Sequence, residues 1–307
     1  MKTETKAWLI LVALSVVWGA SFILIKKSME PIPGEIVFQP FQVGGLRILI
    51  AGLVLLPIAL KNLKSLNKKN TIYLFLVGLT GNFLPSFLFP LAETEIQSSL
   101  AGLLNMGTSV FVILIAWLFF KDKISQKQMI GFALSVFGLS LILVKQIDNE
   151  ANNFYYALYI ILATFFYATS LSLIKYKLQH LKPKVITSLA FFLMLIPAII
   201  LSSISQAFSA LSFEPIVMTA LGYLVILSII GTALAVLFFN QLVSISSPLF
   251  TSSVTYLMPV VALFLGVLDG EDFNAINILW IVIIFVGVFL MSKKSKNVTN
   301  NSEQSMS

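Results

Sequence analysis

The sequence predicts an all-α integral membrane protein of ten transmembrane helices, arranged as an inverted repeat of two five-helix units. Three observations predict it. Of 307 residues, 58% are hydrophobic and only 11% charged, against about 25% charged in a soluble globular chain. Ten apolar runs reach the length of a membrane span. Residues about 149 positions apart match across several of those runs.

A chain this poor in charge cannot cover its own surface with polar groups, so most of that surface must face lipid. A bilayer core about 30 Å thick takes roughly 20 apolar residues per helical span. A transmembrane β-barrel would instead show short segments of strict alternation, which continuous runs such as Ile216–Phe239 exclude.

The spans, in order, are approximately Ala7–Ile25, Val43–Leu60, Ile72–Leu91, Ser98–Phe120, Met129–Val144, Phe154–Ile174, Val185–Ser203, Ile216–Val236, Leu249–Leu268 and Ile276–Met291. The first exceeds a signal-peptide core in length and reads as a retained helix. A loop carrying Pro31, Pro33 and Pro40 precedes the second. A short acidic connector, Glu93 to Gln97, joins the third to the fourth, and Val243–Pro248 leaves almost no loop between the eighth and ninth. The Ser- and Asn-rich tail, residues 296–307, is expected to be disordered.

Charge sets the expected orientation, because cytoplasmic loops are enriched in Lys and Arg. With the N-terminus inside and ten alternating spans, sixteen of the 20 basic residues fall on inside segments. Lys26, Lys27 and Lys145 fall outside, and Arg47 lies within a span. A miscounted helix in the middle would scramble this asymmetry. Both termini are therefore expected in the cytoplasm of a multi-pass inner-membrane protein. The net charge of +7 is a topology signal, and no nucleic-acid partner is expected.

The repeat is legible residue by residue. Trp18-Gly19-Ala20-Ser21 and Ile25-Lys26 answer to Tyr167-Ala168-Thr169-Ser170 and Ile174-Lys175 at an offset of 149. Gly81 answers to Gly231 and Leu88-Phe89 to Phe238-Phe239 at 150, and Gly138 to Gly287 at 149. Pro57 answers to Pro197 only at 140, which is accounted for by about ten extra residues in the first outer loop. The units are residues 1–148 and 149–295. Five spans is an odd number, so the second copy enters the membrane from the opposite side. Inverted repeats are a transporter architecture, with a site near the midplane between the copies.

With these features the chain resembles the EamA-type branch of the drug/metabolite transporter superfamily. The resemblance rests on the doubled five-helix unit, on Trp18-Gly19 with Phe22, and on the late pattern Ser252-Ser253, Pro259, Gly270-Glu271. The first copy departs from that pattern: Ser109 stands where proline is expected and Lys121-Asp122 where Gly-Glu is expected. A kink in the fourth span is therefore not carried over. The resemblance implies export of amino acids or other small metabolites.

Candidate site residues are polar or aromatic groups at span depth. Trp18 and Tyr167 lie near the midplane, where a ring either lines a cavity or packs. Gly19, Ala20 and Ser21 suit close helix approach through small residues. Arg47 is the one clear intramembrane charge. It either snorkels to the interface or holds a substrate carboxylate or a carbonyl. Asn82, Asn105, Asn240 and Gln241 carry donors and acceptors that hydrocarbon cannot satisfy. With Ser86, Thr108, Ser109, Ser170, Ser253, Thr255 and Tyr256 they are polar enough for one central cavity. Pro85, Pro90, Pro248 and Pro259 are candidate bending points. Glu271 and Asp122 fit helix-end roles. No carboxylate sits firmly at the midplane, which favours facilitated diffusion or exchange over proton coupling, with Glu93 and Glu95 in reserve.

The substrate-binding set is thus Trp18, Ser21, Arg47, Asn82, Asn105, Tyr167, Ser170, Asn240 and Tyr256. The expected partners are a small-molecule substrate and the lipid bilayer, with a monomeric chain. There are no cysteines, and the single histidine, His180, lies among loop lysines. No metal or other cofactor and no enzymatic activity are expected. The alternative within transport is a lipid or lipid-linked precursor flippase, which would need its amides on a seam facing lipid.

Overall fold

The computed structural model describes residues 3–122, 124–149, 151–245, 254–271 and 276–292. They form ten helices: α1 Thr3–Met29, α2 Pro40–Lys61, α3 Lys68–Ala92, α4 Ser98–Phe120, α5 Gln126–Asn149, α6 Ala151–Lys177, α7 Pro183–Ile204, α8 Pro215–Ile245, α9 Val254–Leu268 and α10 Ile276–Ser292. Eight contain stretches long and apolar enough to cross a bilayer, and α9 and α10 hold the shorter apolar stretches Leu257–Leu268 and Ile278–Leu290. No strand occurs among the described residues, only an isolated bridge between Ile32 and Glu35.

The helix starts follow local rules. Pro40, Pro183 and Pro215 each occupy the first turn of a helix, where the missing N–H costs nothing and the fixed φ suits the turn. At α2 a capping box reinforces the start: the Gln39 N–H donates to Gln42 Oε1 at 2.8 Å. Gln42 also donates to the Ser205 carbonyl at 3.0 Å, tying α2 to the end of α7. These contacts start α2 three residues before the expected Val43. Arg47 consequently sits seven residues into the helix rather than one turn from its end.

Contacts between helices exchange the two units. α1 packs on α8 and α9, the third and fourth helices of the second unit, while α6 packs on α3 and α4, their counterparts in the first. The second helices, α2 and α7, pair with each other, as do the fifth helices, α5 and α10. This is the contact pattern of an inverted repeat about an axis in the membrane plane. Close approach uses small residues, as expected: a Cβ on Gly19 would stand 2.7 Å from the Met258 carbonyl oxygen of α9. The bundle exterior is covered by exposed apolar side chains such as Ile196, Phe264 and Leu268, as a surface facing acyl chains requires.

Irregular backbone falls at matching places. α3 carries a π turn over Leu79–Phe83 and α8 one over Ile229–Leu234. Gly81 and Gly231 lie within them. The fourth and ninth helices differ in where their regularity fails. α9 runs without interruption through Pro259 over its described residues. α4, which lacks that proline, is interrupted at Asn105-Met106. There the Met106 and Thr108 amides bond three residues back, to the Leu103 and Asn105 carbonyls, both at 3.1 Å. Tightened i→i−3 bonding thus breaks the helix without proline. Both helices end in a left-handed residue, Lys121 at φ 55° and Gly270 at φ 88°. Lys121 therefore adopts the conformation for which the second unit uses glycine.

Candidate functional site

A central cavity of about 200 Å³ lies between the two units. Eight of the nine residues singled out from the sequence line it: Trp18, Ser21, Arg47, Asn82, Asn105, Tyr167, Ser170 and Asn240. The Tyr256 side chain lies outside the described residues, as do Pro248 and Ser253, and its neighbour Thr255 is on the wall. Gln241, Ser86 and Ser109 are not on the wall. Ser86 instead donates to the Phe83 carbonyl at 2.7 Å within α3.

The wall is built twice, by exchange. Trp18 of α1 packs on Phe239 of α8, ring centroids 5.1 Å apart. Its counterpart Tyr167 of α6 stacks on Phe89 of α3 at 5.9 Å. Ser21 stands against Gly231, where an added Cβ would lie 2.8 Å from its Oγ, and Ser170 stands against Gly81 in the same way, closer still. In each case the first helix of one unit meets the π turn of the other. The widened turn also serves Trp18, whose indole N–H donates to the Gly231 carbonyl at 3.2 Å, satisfying a ring that would otherwise bury an unpaired donor.

Arg47 turns into the bundle. It is 9% exposed, and its Nε donates to Thr232 Oγ1 on the α8 π turn at 2.8 Å. It is the only charged side chain on the described wall. A guanidinium has five N–H donors, so this bond leaves the two terminal nitrogens, without partners among the described residues, for the cavity. Nearby, Asn105 Nδ2 lies 3.9 Å from the Met258 sulfur, while Asn105 Oδ1 and Thr108 Oγ1 are buried with no hydrogen-bond partner among the described residues. Asn240 is held by Thr187, at 2.6 Å.

Thr232 and Thr187, the partners of Arg47 and Asn240, were not legible in advance. A helical threonine usually bonds its own preceding turn, and both do so here as well. A signal for Thr232 did exist, since it adjoins the matched Gly231. Phe89 and Phe239 were visible as repeat matches, without an assigned place on the wall.

Charged groups bracket the cavity at both membrane faces. Where α1 and α9 end, Lys27 Nζ meets Asp269 Oδ1 at 2.6 Å and Lys26 Nζ meets Asp269 Oδ2 at 3.3 Å. Burial alone would raise the Asp269 carboxyl, but the two lysines outweigh it and hold it below the usual aspartate range. Glu271 accepts the backbone N–H groups of Ser98 and Ser99 at 2.8 and 3.0 Å, capping α4 from the other unit. At the opposite face, where α6 and α4 end, the sequence-equivalent Lys175 meets Asp122 at 3.3 Å. The Tyr176 hydroxyl also donates to Asp122, and that bond, with Lys175 beside it, holds the carboxyl below its usual range. The first cluster is partly buried and the second exposed.

Comparison with known proteins agrees with this architecture. The model of the EamA-like transporter family matches twice, over residues 5–144 and 154–293. The chain is similar to "Uncharacterized transporter YetK" of Bacillus subtilis (strain 168), 27% identical, covering 96% of this chain and 89% of that protein. It is also similar to a "Probable amino-acid metabolite efflux pump" of Escherichia coli (strain K12), 24% identical over 90% of this chain and 91% of that one. "Uncharacterized inner membrane transporter YedA" of Escherichia coli (strain K12) is 25% identical, covering 92% and 89%. A solved crystal structure covers 99% of both chains with a TM-score of 0.59 and 17% identity, a likeness of fold. The doubled match spans most of the sequence, and the chain belongs to the EamA-like transporter family.

Proposed function

We propose that this membrane transporter exports small metabolites bearing a carboxylate, amino acids foremost, across the cell inner membrane by alternating access, with both termini in the cytoplasm. The observation that carries the reading is a cavity walled by exchanged equivalents, Trp18–Phe239 and Tyr167–Phe89, with Arg47 the single cation on its described wall. A carboxylate suits the free end of that guanidinium, because a planar fork of donors matches two oxygens. An ammonium or N–H of the same cargo suits Asn105 Oδ1 and Thr108 Oγ1, which have no hydrogen-bond partner among the described residues. The aromatic rings suit an apolar side chain. The Escherichia coli relative named as a probable amino-acid metabolite efflux pump supports this class of cargo.

Exchange of conformation between residues 1–148 and 149–295 would turn access from one face to the other. The ion-pair clusters at Lys26–Lys27–Asp269 and Lys175–Asp122 are the two latches, each joining the end of a first helix to the end of a fourth helix from the other unit. All parts of the cavity come from one chain, so a monomer suffices. Lipid transport is less favoured, since three of the four amides, Asn82, Asn105 and Asn240, line the central cavity and Gln241 alone of them lies off its wall. The test is flux in proteoliposomes with a labelled panel of amino acids and amphipathic carboxylates. Flux above empty vesicles is expected, and its absence across the panel overturns the reading.

A further inference from the structure

The sequence places Glu93 in a short, polar connector, yet the structure buries it. It is 5% exposed, whereas Glu95 two residues on is exposed. Glu93 Oε2 accepts from Ser98 Oγ at 2.9 Å, and Glu93 Oε1 is buried without a hydrogen-bond partner among the described residues. The Ser98 backbone N–H goes instead to Glu271 Oε1. Two carboxyl groups from different units therefore meet over one serine, with unequal support. Glu271 has two backbone N–H donors and the Lys26 ammonium at 3.7 Å. Glu93 has one hydroxyl.

Two neighbouring buried carboxyls do not both ionise readily, and the proton settles on the one with fewer donors. Burial pushes the Glu93 carboxyl well above the usual range; the Ser98 hydroxyl opposes this, and Glu271 beside it adds to the rise. The charged groups that face it are Lys26 from α1, Arg47 from α2 and Glu271 beyond α9. Tyr167 of α6 also faces Arg47 and stacks on Phe89, one turn before Glu93.

We propose that Glu93 is the proton-carrying group of the transporter: it holds an exchangeable proton while the Lys26–Lys27–Asp269 latch is closed and releases it when α1 and α9 part. Opening the latch admits water, which takes the proton, and frees Lys26 to neutralise the carboxylate left behind. Cargo movement is thereby coupled to a proton, in place of the facilitated diffusion or exchange that the sequence favoured. This rests on the alternating-access reading above.

The experiment has two arms in proteoliposomes, with Glu93→Gln, which keeps the shape and an acceptor for Ser98, and Glu95→Gln as control. In infrared difference spectra from neutral to alkaline pH, wild type and E95Q lose a protonated-carboxyl C=O band and E93Q has no such band. Identical spectra in all three overturn the assignment. In the second arm an imposed pH gradient drives net amino-acid flux in wild type and E95Q, and E93Q loses that response. Wild-type flux indifferent to the gradient overturns the coupling and leaves the transporter standing. No wild-type flux with any cargo overturns the transport reading and the coupling with it, while the infrared comparison still decides whether Glu93 holds the proton.

Discussion

Trp18 of the first unit is bound to the second unit twice, by ring packing on Phe239 at 5.1 Å and by its indole N–H on the Gly231 carbonyl at 3.2 Å. The ring is thus both cavity wall and interface, so its two contacts can be separated by substitution. Trp18→Phe keeps the ring contact and loses the hydrogen bond; Trp18→Ala loses both. Flux should fall in the order wild type, W18F, W18A, with the chain still inserted. Tyr167→Ala should impair flux similarly, because Tyr167 has the equivalent place on Phe89. Wild-type flux in both alanine variants would remove the rings from the transport path.

Gly231 tests the exchange of units through sterics alone. A methyl there would meet Ser21 Oγ at 2.8 Å, and overpacking of this kind costs about 1–3 kcal/mol. Gly231→Ala should lower the unfolding temperature in detergent, and adding Ser21→Ala should restore much of it by removing the oxygen in the way. No recovery in the double variant would mean that the strain lies within the α8 π turn and not at its contact with α1.

Arg47 should discriminate cargo by its carboxylate. A hydrogen bond to a charged group contributes about 1.5–3 kcal/mol, which is roughly ten- to hundredfold in affinity. Arg47→Gln should raise the KM for free amino acids by that factor and leave the KM for their amides nearly unchanged. Arg47→Lys should recover only part, because an ammonium cannot present a planar fork. Equal losses for acids and amides would assign Arg47 to holding Thr232 and the π turn, not to cargo.

Much of the architecture was legible because hydropathy and charge report directly on the bilayer. Ten apolar runs became ten helices, and residues matched at 149 or 150 took equivalent places at the unit interface, Ser21 against Gly231 and Ser170 against Gly81. Contacts that depend on three-dimensional packing were not legible. Nothing local marks Leu79–Phe83 or Ile229–Leu234 as π turns; the extra residue per turn is tolerated because a neighbouring helix uses the gap. The break at Asn105-Met106 is not legible in sequence, because it has no proline to mark it and short-range bonding to Leu103 and Asn105 produces it. Glu93 stands out in the sequence as a connector acid, but its burial is not legible, because a five-residue connector reads as solvated until Glu271 folds over Ser98.

The Asp269 latch gives a pH prediction opposite in sense to that for Glu93. Lys27 and Lys26 hold the Asp269 carboxyl below its ordinary range. A depressed carboxylate stabilises the folded contact above its unfolded pKa, about 3.9, and that stabilisation is lost as pH falls through the lower folded value. The latch should therefore stay closed from neutral pH down past the ordinary aspartate range, and acid below it should open the α1–α9 end. The chain contains no cysteine, so Ile25→Cys provides a single reporter on the cavity wall, 2% exposed behind the latch. A membrane-impermeant thiol reagent added at that face should label it slowly near neutrality. Adding Asp269→Asn should speed labelling at neutral pH, by removing the charge that Lys27 meets at 2.6 Å. Asp122→Asn, which acts at the opposite and more exposed face, should not speed it. Equal labelling in all three would mean that helix packing, not the ion pairs, keeps this end shut.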